Sequence, residues 1–173
     1  EIFGTPPTVH GAAGWQMNPH AFAQLDAFGI AYASDARAML SKSGALIDPD
    51  AGPYRLQLSG KVLSCIQLPT TLPTLDELLG RTIDGQVITV SNIADALLTL
   101  TSSPRDHVYT LHAELEGQKL APIFEQLLEG WQAQGYDCIS MAQLHRKIKD
   151  TTLPIHPLTW GELPGRSGQL IIP

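Results

Sequence analysis

One histidine stands where a proton transfer could be staged. Val108-Tyr109-Thr110-Leu111-His112-Ala113-Glu114 begins as a short apolar strand and ends in polar groups, with Thr110, His112 and Glu114 in alternation and Tyr109 beside them. A strand buried in a parallel sheet stays apolar to its end. Catalytic groups in strand-helix folds gather where such strands stop and the loops begin. An imidazole titrates near ~6.5 and moves easily with its surroundings. His112 therefore stands where an imidazole could carry a proton, and a carboxylate such as Asp35 or Glu114 could keep it cationic. A histidine satisfied inside a core gives the same local pattern, so the surrounding elements must decide.

Those elements alternate. Thr8 to Ala13 reads as a strand. Asn18-Pro19 opens a helix with Pro at its first position, and Phe22, Leu25 and Phe28 are spaced to share one face before Gly29 stops it. Ile30 to Ser34 is a second strand, ending at Asp35. Residues 36 to 60 are rich in Ser, Gly, Pro and Asp, an excursion too long for a passive connection; a small hairpin about Ser59-Gly60 is expected within it. Cys65 to Leu68 is a third strand. Thr74 and Glu77 have capping-box spacing, and Ser91 precedes a helix over Asn92 to Leu100. Val108 to His112 is the fourth strand, an amphipathic helix covers about Leu120 to Gln134, Tyr136 to Ser140 is the fifth strand, and Met141 to Lys149 a last helix. Residues 1 to 150 form the strand-helix unit; 151 to 173 form a Pro- and Gly-rich tail.

Alternation of this kind implies parallel strands joined by right-handed crossovers, with all strand ends on one rim. The rim then holds Trp15, Asp35, Pro69 to Thr71, His112 to Glu114, and Ser140: carboxylates, an imidazole, hydroxyls and an indole together. Structural roles compete with this: a salt bridge of Asp35 with Arg37 and an indole that merely fills the mouth.

Composition narrows the function classes. The 173 residues suit one domain that could bury roughly 70% of its unfolded surface. A net charge of −6 argues against a nucleic-acid partner, since phosphate binding needs a basic face. Arg146-Lys147-Ile148-Lys149 is the one basic cluster, expected at a solvated helix end. Cys65 and Cys138 sit in apolar runs and are expected as buried free thiols. No apolar run reaches the ~18 residues of a membrane span, so a cytoplasmic protein is the default. Glu1 to Pro7 reads as a helix end followed by a loop, which points to the C-terminal part of a longer chain. The six histidines lack the close pairing of a zinc-binding helix; His20, His145 and His156 are expected in solvated positions, and no complete metal site is expected.

Four blocks in order, Gly11-Ala12-Ala13-Gly14-Trp15, Tyr32-Ala33-Ser34-Asp35-Ala36-Arg37, Gln67 to Glu77, and Tyr109 to Gly117, resemble the polysaccharide-deacetylase superfamily, and within it the branch that deformylates formamido-arabinose phospho-undecaprenol in lipid A modification. The resemblance implies an α/β fold, the C-terminal portion of a distorted (β/α) barrel, and hydrolysis of an N-acyl bond. It implies His112 as the acid that protonates the departing amine, Asp35 at the fourth motif, and a divalent metal whose ligands lie upstream of this chain. Trp15, Arg37, Thr70, Tyr109 and Glu114 are the substrate-binding candidates. Ala13-Gly14-Trp15 lacks the Arg that many deacetylases carry at the third motif, as the deformylase-like branch does. The implied partners are a lipid-linked amino sugar and the N-terminal part of the same protein. Met39, Leu40, Leu46 and Ile47 are candidates for peripheral membrane contact. A deacetylase of another N-acylated sugar or small amide, or a non-catalytic subunit completed by a separate chain, are the competing readings.

Overall fold

The computed structural model describes residues 4–42, 45, 47 and 51–173. Its main sheet takes strands from across the chain: β1 (Val9–His10), β2 (Tyr32–Ala33), β3 (Tyr54–Leu58), β4 (Lys61–Gln67) and β7 (Ile155–Pro157), in the order β1-β2-β4-β3-β7. Pairing is parallel for β1 with β2, β2 with β4 and β3 with β7, and antiparallel for β3 with β4. The architecture is mixed α/β with a mostly parallel sheet, not the wholly parallel one expected, and the described strands form an open sheet. The antiparallel pair follows from Ser59 (φ 50°) and Gly60 (φ 82°), two positive-φ residues in a two-residue loop that matches the twist of a hairpin. Asp84 (φ 49°) and Gly85 (φ 80°) do the same for β5 (Thr82–Ile83) and β6 (Gln86–Val87).

Among the described residues, five α-helices flank these strands. In α1 (Pro19–Ala27) the Asn18 side chain accepts from the Ala21 amide and Pro19 needs no acceptor. Phe22 and Leu25 are buried, but Phe28 is exposed, because it lies past the last helical turn. Asp26 of α1 accepts from Lys61 Nζ (2.6 Å), Ser64 N and Ser64 Oγ of β4. The Lys61 bond is the main cause that holds its carboxyl down at about 2. The capping box of α2 (Leu75–Leu78) is present as expected. In α3 (Ile93–Leu100) the cap is Asn92, one residue after the expected Ser91. The apolar stripe of α4 (Ala121–Ala133) buries Ile123, Leu127 and Trp131 against α3 and α2. Ser140 caps α5 (Met141–Ile148), whose last turn carries the basic cluster.

Two expected strands do not form. Residues 108–112 form no strand; the Val108 carbonyl accepts from Thr71 N (3.0 Å) and Leu72 N (3.4 Å). The hydroxyl of Thr71 takes the Val108 N–H (2.8 Å) and so replaces a ladder bond. Residues 136–140 are irregular, with Tyr136 Oη bound to the Thr101 carbonyl.

Residues 151 to 173 supply three strands. β7 pairs with β3, and β8 (Thr159–Glu162) pairs with β9 (Gln169–Ile172) as a hairpin. Leu163 and Leu170 are buried with Trp15 and Leu40, which takes Leu40 away from any outer surface. Met39 is half-buried, Ile47 is exposed, and Leu46 lies outside the described residues. Cys65 is buried, and burial pushes its thiol up to about 12; Cys138 is exposed, contrary to expectation, because its strand is not built. His145 stacks on Tyr32 (4.8 Å) and His156 meets Tyr54 edge-on (5.0 Å), so neither is the solvated side chain expected of it. His20 is exposed. No helix among the described residues is long and apolar enough to cross a membrane.

Candidate functional site

The loops that follow β1, β2 and β4 meet the 108–112 segment through one hydroxyl. Thr70 Oγ1 accepts from Trp15 Nε1 (3.2 Å) and lies 2.7 Å from Thr110 Oγ1 and 3.5 Å from Ser34 Oγ. Thr70 also bridges Arg37 through the backbone. Ser34 precedes Asp35 and Thr110 lies two residues before His112, so the four motif blocks converge. Ser140, the remaining rim candidate, is occupied as the cap of α5.

His112 is placed by its own backbone. Its carbonyl accepts from Leu115 N and Glu116 N as the chain turns into a single π-helical turn, Leu115–Lys119. Its N–H donates to Glu116 Oε2 (2.9 Å), while Glu116 Oε1 takes the Tyr109 phenol (2.6 Å). Glu116 is 2% exposed, so these charge-assisted bonds lie away from water. Tyr109 packs against Trp131 (5.3 Å) and Phe124 (6.5 Å) of α4. Burial first, then the bond to Glu116, keeps the phenol protonated well above its usual range. The site segment is thus pinned by α4 on one side and by the threonines on the other.

The imidazole itself faces a carboxylate. His112 Nδ1 lies 3.4 Å from Asp76 Oδ1, within ion-pair distance though not aligned as a hydrogen bond. The ring is 31% exposed and Asp76 40%. No described residue bonds Nε2, so an anion at Nδ1 favours the tautomer whose Nε2 addresses whatever enters. The partner of His112 is therefore Asp76, and neither Asp35 nor Glu114 occupies that place. Asp35 is fully buried, accepting from the Ala12 amide (2.7 Å) and pairing with His10 Nδ1 (2.9 Å). Glu114 is exposed beside His112.

Behind this pair lies a buried ionic cluster. Arg37, fully buried, donates to Glu77 Oε2 (2.8 Å) and to the Leu72 carbonyl (3.3 Å). Burial lowers its guanidinium from the usual range, and Glu77 opposes that. Arg37 does not pair with Asp35. Trp15 is 4% exposed, with the guanidinium of Arg37 4.4 Å and that of Arg166 4.8 Å from the ring centroid. Its indole leaves no open face for a sugar. Trp15, Arg37 and Thr70 are buried, Tyr109 and His112 are half-buried, and Glu114 is exposed.

Asp76, Glu116 and Arg166 were not among the candidates read from the sequence. Asp76 follows from the capping box: Glu77 is drawn back to the Thr74 amide (3.0 Å), which leaves Asp76 on the outer side of the first turn. Glu116 stands four residues after His112, the spacing at which a side chain reaches back to an amide that opens a helical turn. Nothing in its local sequence marks Arg166.

His107 borders the site, with Nδ1 3.3 Å from Thr71 Oγ1. Burial, assisted by Arg105, lowers it from 6.5 to about 4. The unfolded chain binds a proton that the folded chain refuses between those values. Stability from this source is full above about 6.5 and is lost as pH falls toward about 4. Urea midpoints measured from pH 7 to 4 should fall less steeply in His107→Gln than in the native chain; an unchanged slope contradicts this.

Among the described residues, no group of three or more His, Cys, Asp or Glu side chains converges to hold a metal ion. His10–Asp35 and His112–Asp76 are pairs, each already committed. The described side chains thus offer no site for the divalent metal, whose ligands the resemblance places upstream of this chain.

Comparison with known proteins places these residues in context. No protein-family model matches the chain. Two curated proteins, each named a probable 4-deoxy-4-formamido-L-arabinose-phosphoundecaprenol deformylase ArnD, are similar to it. The one from Shewanella sediminis is 29% identical over 169 residues, covering 98% of this chain and 48% of its own length. The one from Wigglesworthia glossinidia brevipalpis is 29% identical over 169 residues, covering 96% of this chain and 53% of its own. The chain spans about half the length of these relatives. A crystal structure from Mycobacterium smegmatis, assigned as a polysaccharide deacetylase, shares the fold with a TM-score of 0.61 and 20% identity, over 92% of this chain and 55% of that one. The resemblance carried by the four motif blocks thus extends over nearly the whole chain.

Proposed function

We propose that the intact protein hydrolyses the formamide bond of a lipid-linked amino sugar, formamido-arabinose phospho-undecaprenol, and that this chain provides the proton donor. The observation that carries this reading is the His112 ring, held by its own backbone, faced at Nδ1 by Asp76 and open at Nε2. An amide resists hydrolysis because an amine anion leaves badly. Nitrogen must receive a proton as the carbon–nitrogen bond breaks, and a placed general acid contributes typically about 10²–10⁴-fold.

Cationic His112 gives its Nε2 proton to the departing nitrogen; Asp76 stabilises the imidazolium before transfer and keeps the ring in register afterwards. Glu114, exposed two residues after His112, binds the sugar or the amine product. Tyr109 acts through Glu116, which fixes the His112 backbone. Asp35 holds His10 and the Ala12 amide at the tips of β1 and β2. The divalent metal implied by the resemblance would be held outside these residues. The names of the two curated relatives support the lipid-linked sugar; the place in lipid A modification rests on the motif resemblance alone.

The test is release of formate from formamido-arabinose phospho-undecaprenol by the intact protein, with the acetamido analogue in parallel. Formate release with little acetate release supports the deformylase. Acetate release at an equal or greater rate moves the assignment to a deacetylase, and release of neither removes the hydrolytic function.

A further inference from the structure

We infer that Arg166, in the turn between β8 and β9, is a positioning residue that aims Asp76 at His112 and so makes the C-terminal hairpin part of the proton-donating apparatus. This rests on the reading of His112 as proton donor. An aspartate that is 40% exposed on a short helix has no intrinsic reason to keep one rotamer, and water competes for its oxygens. Here its two oxygens are divided. Oδ2 lies 3.3 Å from Arg166 Nη2, while Oδ1 accepts from Thr74 Oγ1 (2.6 Å) and faces His112 Nδ1.

Arg166 is itself firmly seated. Nε donates to the buried Glu77 Oε1 (2.6 Å) and Nη2 to Thr74 Oγ1 (3.1 Å), and the guanidinium lies over the Trp15 ring. A planar guanidinium can hold Glu77, Thr74 and Asp76 at once, which a lysine ammonium on a flexible stem cannot do with the same geometry. The turn that presents it is anchored from both sides: Leu163 and Leu170 are buried with Trp15 and Leu40, and Arg166 N donates to the Leu163 carbonyl (3.1 Å). The charged groups about His112 are then Asp76 at the ring, Glu116 at its amide, Glu114 exposed two residues along the chain and Arg166 on the far oxygen of Asp76. Arg166 touches neither the imidazole nor the open face of the site; its effect passes through one carboxylate.

The experiment is a double-mutant cycle in the intact protein, using Arg166→Gln, Asp76→Asn and the pair. Displacing a catalytic group by about 1 Å can cost about 10²-fold. Arg166→Gln is therefore expected to lower kcat by up to about 10²-fold with KM little changed, and to add no further loss in the Asp76→Asn background. Losses that simply multiply overturn the inference, as does unchanged kcat in Arg166→Gln. A melting temperature near that of the native protein separates positioning from collapse of the hairpin. Where Arg166→Gln does not fold, Arg166→Lys takes its place, with a smaller loss in the same pattern. A crystal structure of the folded variant supplies a readout independent of activity: Asp76 turned away from His112 supports the inference, and the pair still within about 4 Å overturns it. Absence of formamide hydrolysis in the native protein would count against the function alone.

Discussion

His112→Gln is expected to lower kcat for the formamido sugar by about 10²–10⁴-fold, the range that a placed general acid contributes, with KM changing far less. Glutamine fills much of the volume but cannot become a cation that surrenders a proton at neutral pH. The tertiary setting of the ring does not depend on its imidazole. The His112 amide is held by Glu116, its carbonyl by Leu115 N and Glu116 N, and the ring is partly open to solvent. The variant should therefore melt within a few degrees of the native protein. Steady-state kinetics on the intact protein, beside a thermal denaturation curve, checks both halves. A folded variant with native turnover contradicts the role of this residue.

Arg37→Met is expected to act on stability. Removing one partner of a buried ion pair costs about 3–5 kcal/mol, because the other charge is left without compensation. Glu77 keeps Arg166 Nε and the Thr74 amide, so the loss should fall near the lower end, about 3 kcal/mol. The Leu72 carbonyl and the face of Trp15 lose their contacts as well. For a chain of this size each kcal/mol lowers the melting temperature by about 2–4 °C, so a fall of about 6–12 °C is expected. Arg37→Lys should recover only part of it, since an ammonium cannot serve Glu77, the Leu72 carbonyl and the indole together. Loss below about 1 kcal/mol in Arg37→Met, measured by calorimetry or circular dichroism, contradicts a structural ion pair at this position.

Much of this arrangement was legible in the sequence, for identifiable physical reasons. The Asn18-Pro19 start, the Thr74–Glu77 capping box and the stripe of α4 each depend on contacts within a few residues, and such signals survive in any fold. The same holds for Ser59-Gly60. Asp84-Gly85 carries an equally strong hairpin signal, and only its short flanking strands hid it. The two strands that failed to form, 108–112 and 136–140, have strand-like composition; what they lack is neighbours along their length, a property of the whole sheet.

Among the site candidates, His112, Tyr109 and Thr70 stand out in the sequence because polar side chains close apolar runs there. Asp76 escaped because its residue type is ordinary in the first turn of a helix. Arg166 escaped because it reaches Asp76 and Glu77 from about 90 residues away in a segment whose Pro and Gly content suggests a tail. The substrate-facing expectation for Trp15 and Arg37 changes for the same reason: the sequence places both near the strand tips, but only the hairpin that covers them makes them interior.

Varying the leaving group separates proton delivery by His112 from any other task of the ring. The native protein and His112→Ala are compared on the formamido sugar, whose amine needs a proton to depart, and on 4-nitrophenyl formate, whose phenolate leaves without one. If His112 delivers the proton, the substitution lowers turnover of the formamide by about 10²–10⁴-fold and leaves ester hydrolysis nearly unchanged. Equal losses on both substrates would assign the ring to some other task and contradict the account.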